Sequence, residues 1–188
     1  VFVYRIHDEP NTERIQNLAI FVKSLGYDLK MTDGKTTSRD INNLLEKLEG
    51  TSVKDMIQTA VVRSMAKAIY TTQNIGHFGL GFEFYTHFTS PIRRYPDTMV
   101  HRLLARYLNN EKIDAKEWKF YERMSTFSSQ REKEASDAER GSIKYKQVEY
   151  MSERIGQVFD GVISGVTEWG FYVEEKETKC EGMVPLRT

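Results

Sequence analysis

Cysteine is almost missing: the 188 residues contain one, Cys180. A lone thiol excludes an internal disulfide and any cysteine-cluster metal site, and this usage points to a reducing, cytoplasmic setting. Net charge is missing as well, since 27 basic residues face 27 acidic ones. A charge footprint spread over the whole surface, of the kind many nucleic-acid binders carry, is thereby excluded, and any anion site must be local. No apolar run approaches the roughly 20 residues a helix needs to cross a bilayer, so no membrane partner is expected. The opening "VFVYRIHDEPN" has no initiating Met and no basic segment leading into an apolar one; it reads as the interior of a longer protein rather than a signal peptide.

What is present describes a globular chain: 39% hydrophobic, 12% aromatic and 29% charged residues, which is neither a disordered nor a membrane composition. The length suits one full domain, or a domain and part of a second. After the β-prone residues 1–6, Ile15, Leu18, Val22 and Leu25 fall at helical spacing between a cap at Asn11 or Thr12 and a stop at Gly26. Ser38 is predicted to cap a second helix carrying Ile41, Leu44, Leu45 and Leu48 as far as Gly50. A third is predicted from about Val53 to about Ala68. Between them and Pro91, glycines 76, 79 and 81 break the periodicity while aromatics and threonines accumulate, the pattern of short extended segments and loops. Helical spacing resumes near Tyr95, with Met99, Val100, Leu103, Leu104 and Tyr107 on one face and Pro96 tolerable in the first turn.

From about Ala115 to Arg154 a mixed-charge stretch predicts one or two long helices, with Gly141 a candidate break. At Gly156 the period changes: "GQVFDGVISGVTEWGFYVEE" alternates in strand fashion, and "EGMVPLRT" suits a further strand. A domain boundary is therefore expected at about residue 155. The 33 residues beyond it are too few for a closed barrel, so a truncated module is expected there.

Two chemistries suggest themselves. His77, His87 and His101 lie ten and fourteen residues apart, which is not the spacing of two ligands on one helix face; hydrogen-bonded structural roles near a polar cleft are expected instead, with His101 buried, and no metal site. The second is "YTHFTSPIRRYPD", residues 85–97. Arginines at a helix start oppose the backbone dipole, whose positive end favours anions. An ordinary surface pair is the plain reading of Arg93 and Arg94. Yet hydrogen-bonding groups surround them at His87, Thr89, Ser90 and Tyr95, and guanidinium binds phosphate oxygens in a bidentate way that lysine cannot match. Asp97 fits the helix's first turn as a capping, dipole-favoured carboxylate rather than a metal ligand.

The stretch "HFGLGFEFYTHFTSPIRRYPDTMVH", residues 77–101, closely resembles the signature of the ribonuclease II and ribonuclease R family, the RNB-domain exoribonucleases. "YRIHDEP" and "DAERGSIKYKQVEYM" are similar to two further family segments. "GQVFDGVISGVTEWGFYVEE" resembles the opening strands of the family's RNA-binding OB fold, nearer the ribonuclease R branch. The resemblance covers nearly the whole chain. It implies an α+β fold: a largely helical C-terminal half of an RNB catalytic domain over residues 1–155, then the N-terminal part of a ribosomal-protein-type OB fold over 156–188.

The activity it implies is processive, magnesium-dependent 3'-to-5' hydrolysis of single-stranded RNA to nucleoside 5'-monophosphates, in the cytoplasm and with no obligate protein partner. By resemblance Arg93 is the catalytic arginine. Arg94 and Glu139 are assigned to RNA, and Tyr85, Thr89 and Ser90 to the same channel. Either Phe171 or Tyr172 would face RNA while the other packs inward. The family's magnesium-binding aspartate cluster has no counterpart here: carboxylates 8, 9 and 13 read as a turn and helix start. The fragment by itself is therefore expected to be inactive. The rival is a non-catalytic RNA-binding or regulatory protein on the same framework.

Overall fold

The computed structural model describes residues 2–51 and 53–186. Its elements are β1 (Tyr4–Ile6), α1 (Thr12–Ser24), α2 (Ser38–Lys47), α3 (Lys54–Ser64), β2 (Ile69–Thr71), a 3-10 turn (Phe78–Leu80), α4 (Tyr95–Leu108), α5 (Ala115–Ser152), β3 (Gly161–Thr167), β4 (Gly170–Glu175) and β5 (Glu181–Pro185). This is the mixed helix and sheet class that the sequence implies. The chain divides into two compact units, the first ending at Gln130 and the second starting at Arg131, within α5.

In the first unit, Asn11 caps α1 through its side-chain oxygen, which accepts from Glu13 N–H at 2.8 Å. The apolar stripe Ile15, Leu18 and Val22 is buried against Ile41 and Leu44 of α2 and Ile57 of α3. Thr37, not Ser38, caps α2. Its extended backbone (φ −102°, ψ 158°) suits the cap position, and it closes a capping box with Asp40. The Thr37 hydroxyl holds the Asp40 carboxyl below its ordinary range. Ser38 is instead the first helical residue, and its hydroxyl donates to the Phe78 carbonyl.

Helix α3 stops at Ser64, short of the predicted Ala68. The Ser64 hydroxyl turns back to the Val61 carbonyl at 2.7 Å and Met65 is extended. That leaves Ile69–Thr71 free to pair antiparallel with β1, Arg5 opposite Tyr70. Tyr70 N–H also donates to the Ser129 hydroxyl on α5 at 2.8 Å, so this short strand finds a side-chain acceptor as well as a strand partner. A second core joins Val3 to Met99, Val100 and Leu103 of α4 and Tyr121 of α5.

Helix α5 runs unbroken through Gly141. A mid-helix glycine costs about 1 kcal/mol relative to alanine, too little to break a helix flanked by Ala, Glu, Arg and Lys. In the second unit the final turns of α5 pack with the strands: Gln147 Nε2 donates to the Lys179 carbonyl at 3.0 Å, and the Cys180 thiol lies buried against the Gln147 carbonyl. The change of period at Gly156 thus falls inside this unit. The sheet is antiparallel in the order β3-β4-β5. Gly170 is required by close approach, since a Cβ there would stand 2.3 Å from the Val184 carbonyl oxygen. Arg187 and Thr188, the end of "EGMVPLRT", lie outside the described residues. A half-open cavity of about 710 Å³ lies between α5 and the sheet, lined among others by Val148, Met151, Phe159, Val173 and Val184.

The β4–β5 connection turns on Glu175. Its carboxylate accepts from the Thr178 hydroxyl at 2.5 Å and from the amides of Glu177 (2.9 Å) and Thr178 (2.6 Å). Those bonds, the Thr178 hydroxyl first, depress its pKa. A carboxyl depressed in the folded state contributes stability above its unfolded pKa and loses it as pH falls through the folded value. In an NMR titration the Glu175 carboxyl is expected to show a midpoint below the ordinary glutamate value, with the Thr178 amide losing exchange protection as Glu175 protonates. A midpoint at the ordinary value would refute the role given to this turn.

Candidate nucleic-acid interface

The site is assembled where α4 begins. Pro91 and Pro96 bracket a turn that cannot be helical throughout, because a proline removes one amide donor and restricts the residue before it. The Ser90 carbonyl closes the turn by accepting from Arg93 N–H (3.2 Å) and Arg94 N–H (3.0 Å). The first two turns of α4 then hold it from behind. Asp97 Oδ2 accepts from Ser90 N–H at 2.8 Å, the Thr98 hydroxyl donates to the Pro91 carbonyl at 3.1 Å, and His101 Nε2 lies 2.7 Å from the Phe88 carbonyl. The His101 ring stacks on Phe88 with centroids 4.1 Å apart.

The two arginines part company here. Arg94 Nη2 donates to Asp97 Oδ2 at 2.9 Å, with Asp97 0% exposed and Arg94 23%. Arg93 is exposed. Its side-chain Nη2 lies 3.5 Å from Ser90 Oγ, too long to hold it firmly, and no carboxylate among the described residues pairs with it. Beside it Ile92 is 99% exposed, and Phe82, Phe84 and Phe88 present further apolar surface.

Upstream of the turn in sequence, aromatic and imidazole rings cluster. Tyr85 is half-buried, edge-on to His77 at 5.0 Å and to His87 at 5.8 Å, while its carbonyl accepts from Arg5 N–H at 2.9 Å. Tyr70 OH and His87 Nδ1 are 2.8 Å apart. His7 Nδ1 accepts from Gly79 N–H at 2.8 Å, so its Nε2, 2.8 Å from the Ala66 carbonyl, carries the proton. Burial, and then the neighbouring His7, push the His77 imidazole pKa down, and its Nδ1 is buried with no hydrogen-bond partner among the described residues.

Of the residues singled out in the sequence, Tyr85, Thr89, Ser90, Arg93 and Arg94 come together in this one loop. Glu139, Phe171 and Tyr172 belong to the second unit. Glu139 is exposed on α5. Phe171 and Tyr172 occupy the central strand, paired with Val166 and Val184 and with Gly165 and Met183 respectively, so they point to opposite faces.

Two readings need correction. His101 is exposed rather than buried, because its stacking on Phe88 occurs at the surface. Asp97 does not cap its own helix: Arg94 N–H, which a cap would take, already donates to Ser90, and the carboxylate reaches over to Ser90 and to the Arg94 side chain. His7 escaped notice because its partners, Ala66 and Gly79, are far along the chain. Its one sequence signal was its place in "YRIHDEP".

Among the described residues no group of three or more His, Cys, Asp or Glu side chains could hold a metal ion. The acidic turn near the start is otherwise engaged, Glu9 with Lys35 at 2.7 Å and Asp8 with the Glu9 amide at 2.8 Å. These residues do not fit the magnesium that the resemblance implies. No helix among the described residues is long and apolar enough to cross a membrane.

The RNB domain family matches residues 1–110. Ribonuclease R of Aquifex aeolicus is 41% identical over 187 residues, 99% of this chain and 26% of that protein. Ribonuclease R of Thermotoga maritima is 39% identical over 193 residues, 100% of this chain and 27% of that protein. The chain thus spans about a quarter of the length of the curated relatives it matches. Its fold is similar to that of the apo form of Mycoplasma genitalium RNase R, with a TM-score of 0.89 at 28% identity over 98% of this chain and 30% of that one. The same protein in complex with ribose methylated single-stranded RNA matches at a TM-score of 0.89.

Proposed function

This chain belongs to the RNB-domain family, and on that premise we propose that it is part of a processive exoribonuclease that hydrolyses single-stranded RNA from the 3' end to nucleoside 5'-monophosphates. The observation that carries the reading is Arg93: an exposed guanidinium without a carboxylate partner among the described residues, at the tip of a turn held from behind. In this reading Arg93 neutralises charge developing on the phosphoryl oxygens. Ser90, Thr89 and Tyr85 line the path of the strand, and Glu139 lies near its end. Residues 1–155 form part of the catalytic domain, and residues 156–188 open an OB fold in which Phe171 or Tyr172 stacks on a base. The relative solved with single-stranded RNA supports this choice of substrate. The magnesium that such hydrolysis calls for would be held by residues outside these 188, so the chain by itself would be inactive. The setting would be cytoplasmic.

The test is a 5'-labelled oligoribonucleotide incubated with magnesium and a longer protein that joins this chain to the rest of an RNB domain. The products are resolved by length over time. A ladder shortening from the 3' end is expected. RNA binding with no shortening would replace this reading with a non-catalytic RNA-binding protein.

A further inference from the structure

Asp97 is the one charged side chain at the α4 start that is wholly withdrawn from water among the described residues. A buried carboxylate is costly unless it is paired and hydrogen-bonded. Its Oδ2 meets both needs, taking the Arg94 guanidinium at 2.9 Å and the Ser90 amide at 2.8 Å. Ser90 is also the residue whose carbonyl receives Arg93 N–H and Arg94 N–H, and whose hydroxyl lies nearest the Arg93 guanidinium. One residue thus connects the buried charge to the exposed one. The pair is not closed upon itself, because Arg94 Nε and Asp97 Oδ1 are both buried with no hydrogen-bond partner among the described residues. A single-contact pair of this kind is a poor stabiliser by comparison with a bidentate one, and its one engaged oxygen is shared with Ser90.

We infer that Asp97 is a positioning residue for Arg93: through Ser90 it sets the turn that aims the Arg93 guanidinium outward, and it engages Arg94, which therefore serves the turn and not the RNA. The RNA arm of the test rests on the proposed function; the spectroscopic arm does not.

The test uses the full 188-residue chain as wild type, Arg93→Ala, Asp97→Asn and the double variant, with a fluorescein-labelled uridine oligoribonucleotide as probe. Arg93→Ala is expected to weaken binding about tenfold, the loss of one charge-assisted contact. Asp97→Asn is expected to weaken it by a similar factor, and the double variant no more than Arg93→Ala, because residues acting through one another are not additive. A merely structural Asp97 would lower Tm while leaving the affinity of the folded variant unchanged, or its effect would multiply with that of Arg93→Ala; either result overturns the inference. Should wild type bind no RNA, the proposed function is judged by the hydrolysis test on the longer protein alone. The inference is then decided by NMR: Asp97→Asn must raise Ser90 amide exchange about tenfold or more and increase the mobility of Arg93 Nε, and no change overturns it. Should Asp97→Asn fail to fold, the wild-type Ser90 amide decides alone, since exchange there as fast as in an open loop overturns the clamp.

Discussion

Arg93→Ala is expected to lower RNA hydrolysis by about 10³ or more in a protein that joins this chain to the rest of an RNB domain, by analogy with arginines that stabilise phosphoryl transfer. That factor corresponds to about 4 kcal/mol of transition-state stabilisation. Such a value is within the range of arginines that meet charge developing on a transferring phosphoryl group. The loss should appear in the single-turnover rate and much less in thermal stability, because the side chain is exposed and its contact with Ser90 is long. Arg93→Lys should recover only part of the rate, since an ammonium cannot offer the planar pair of donors. A variant within a few-fold of wild type would take the catalytic role away from Arg93, whatever the RNA affinity.

Leu103→Ala is expected to destabilise the chain by about 3 kcal/mol, within the range of 2–5 kcal/mol typical of emptied leucine sites. Leu103 is 0% exposed and packs with Val3, Met99, Val100 and Tyr121. These neighbours come from the segment just before β1 and from two helices, so the site is poorly able to collapse around the missing atoms. Urea unfolding followed by circular dichroism would read the change as a lower midpoint at unchanged slope. The same helix carries the arginine turn on its first residues, so the variant should also raise amide exchange at Ser90 and Arg94. A loss below about 0.5 kcal/mol, the usual size of a surface effect, would show that α4 is not seated on this core.

Much of the architecture was legible because it is local. The caps at Asn11 and near Ser38, the apolar stripes of α1, α2 and α4, and the change to period two after Gly156 all depend on neighbours within a turn or two of helix or strand. The errors lie at helix ends. Ser38 lost its cap role because Thr37 had the extended backbone and Asp40 closed the box, while Phe78 claimed the serine hydroxyl. Helix α3 ended early because residues 69–71 are taken by β1. The site was legible as a motif but not as a mechanism of presentation. Arg93 and Arg94 look equivalent in the string "SPIRRYPD", yet one is exposed and the other spans a buried ion pair.

By itself the sequence determined the class of fold, the place of the arginine turn and the family, because these rest on periodicity, turn chemistry and a motif, all written within short reach along the chain. Tertiary structure alone decided which arginine is presented and what holds it. That outcome turns on burial: seating α4 against Val3 and Tyr121 removes Asp97 from water, and a carboxylate so placed must find donors. It takes Ser90 and Arg94, leaving Arg93 exposed.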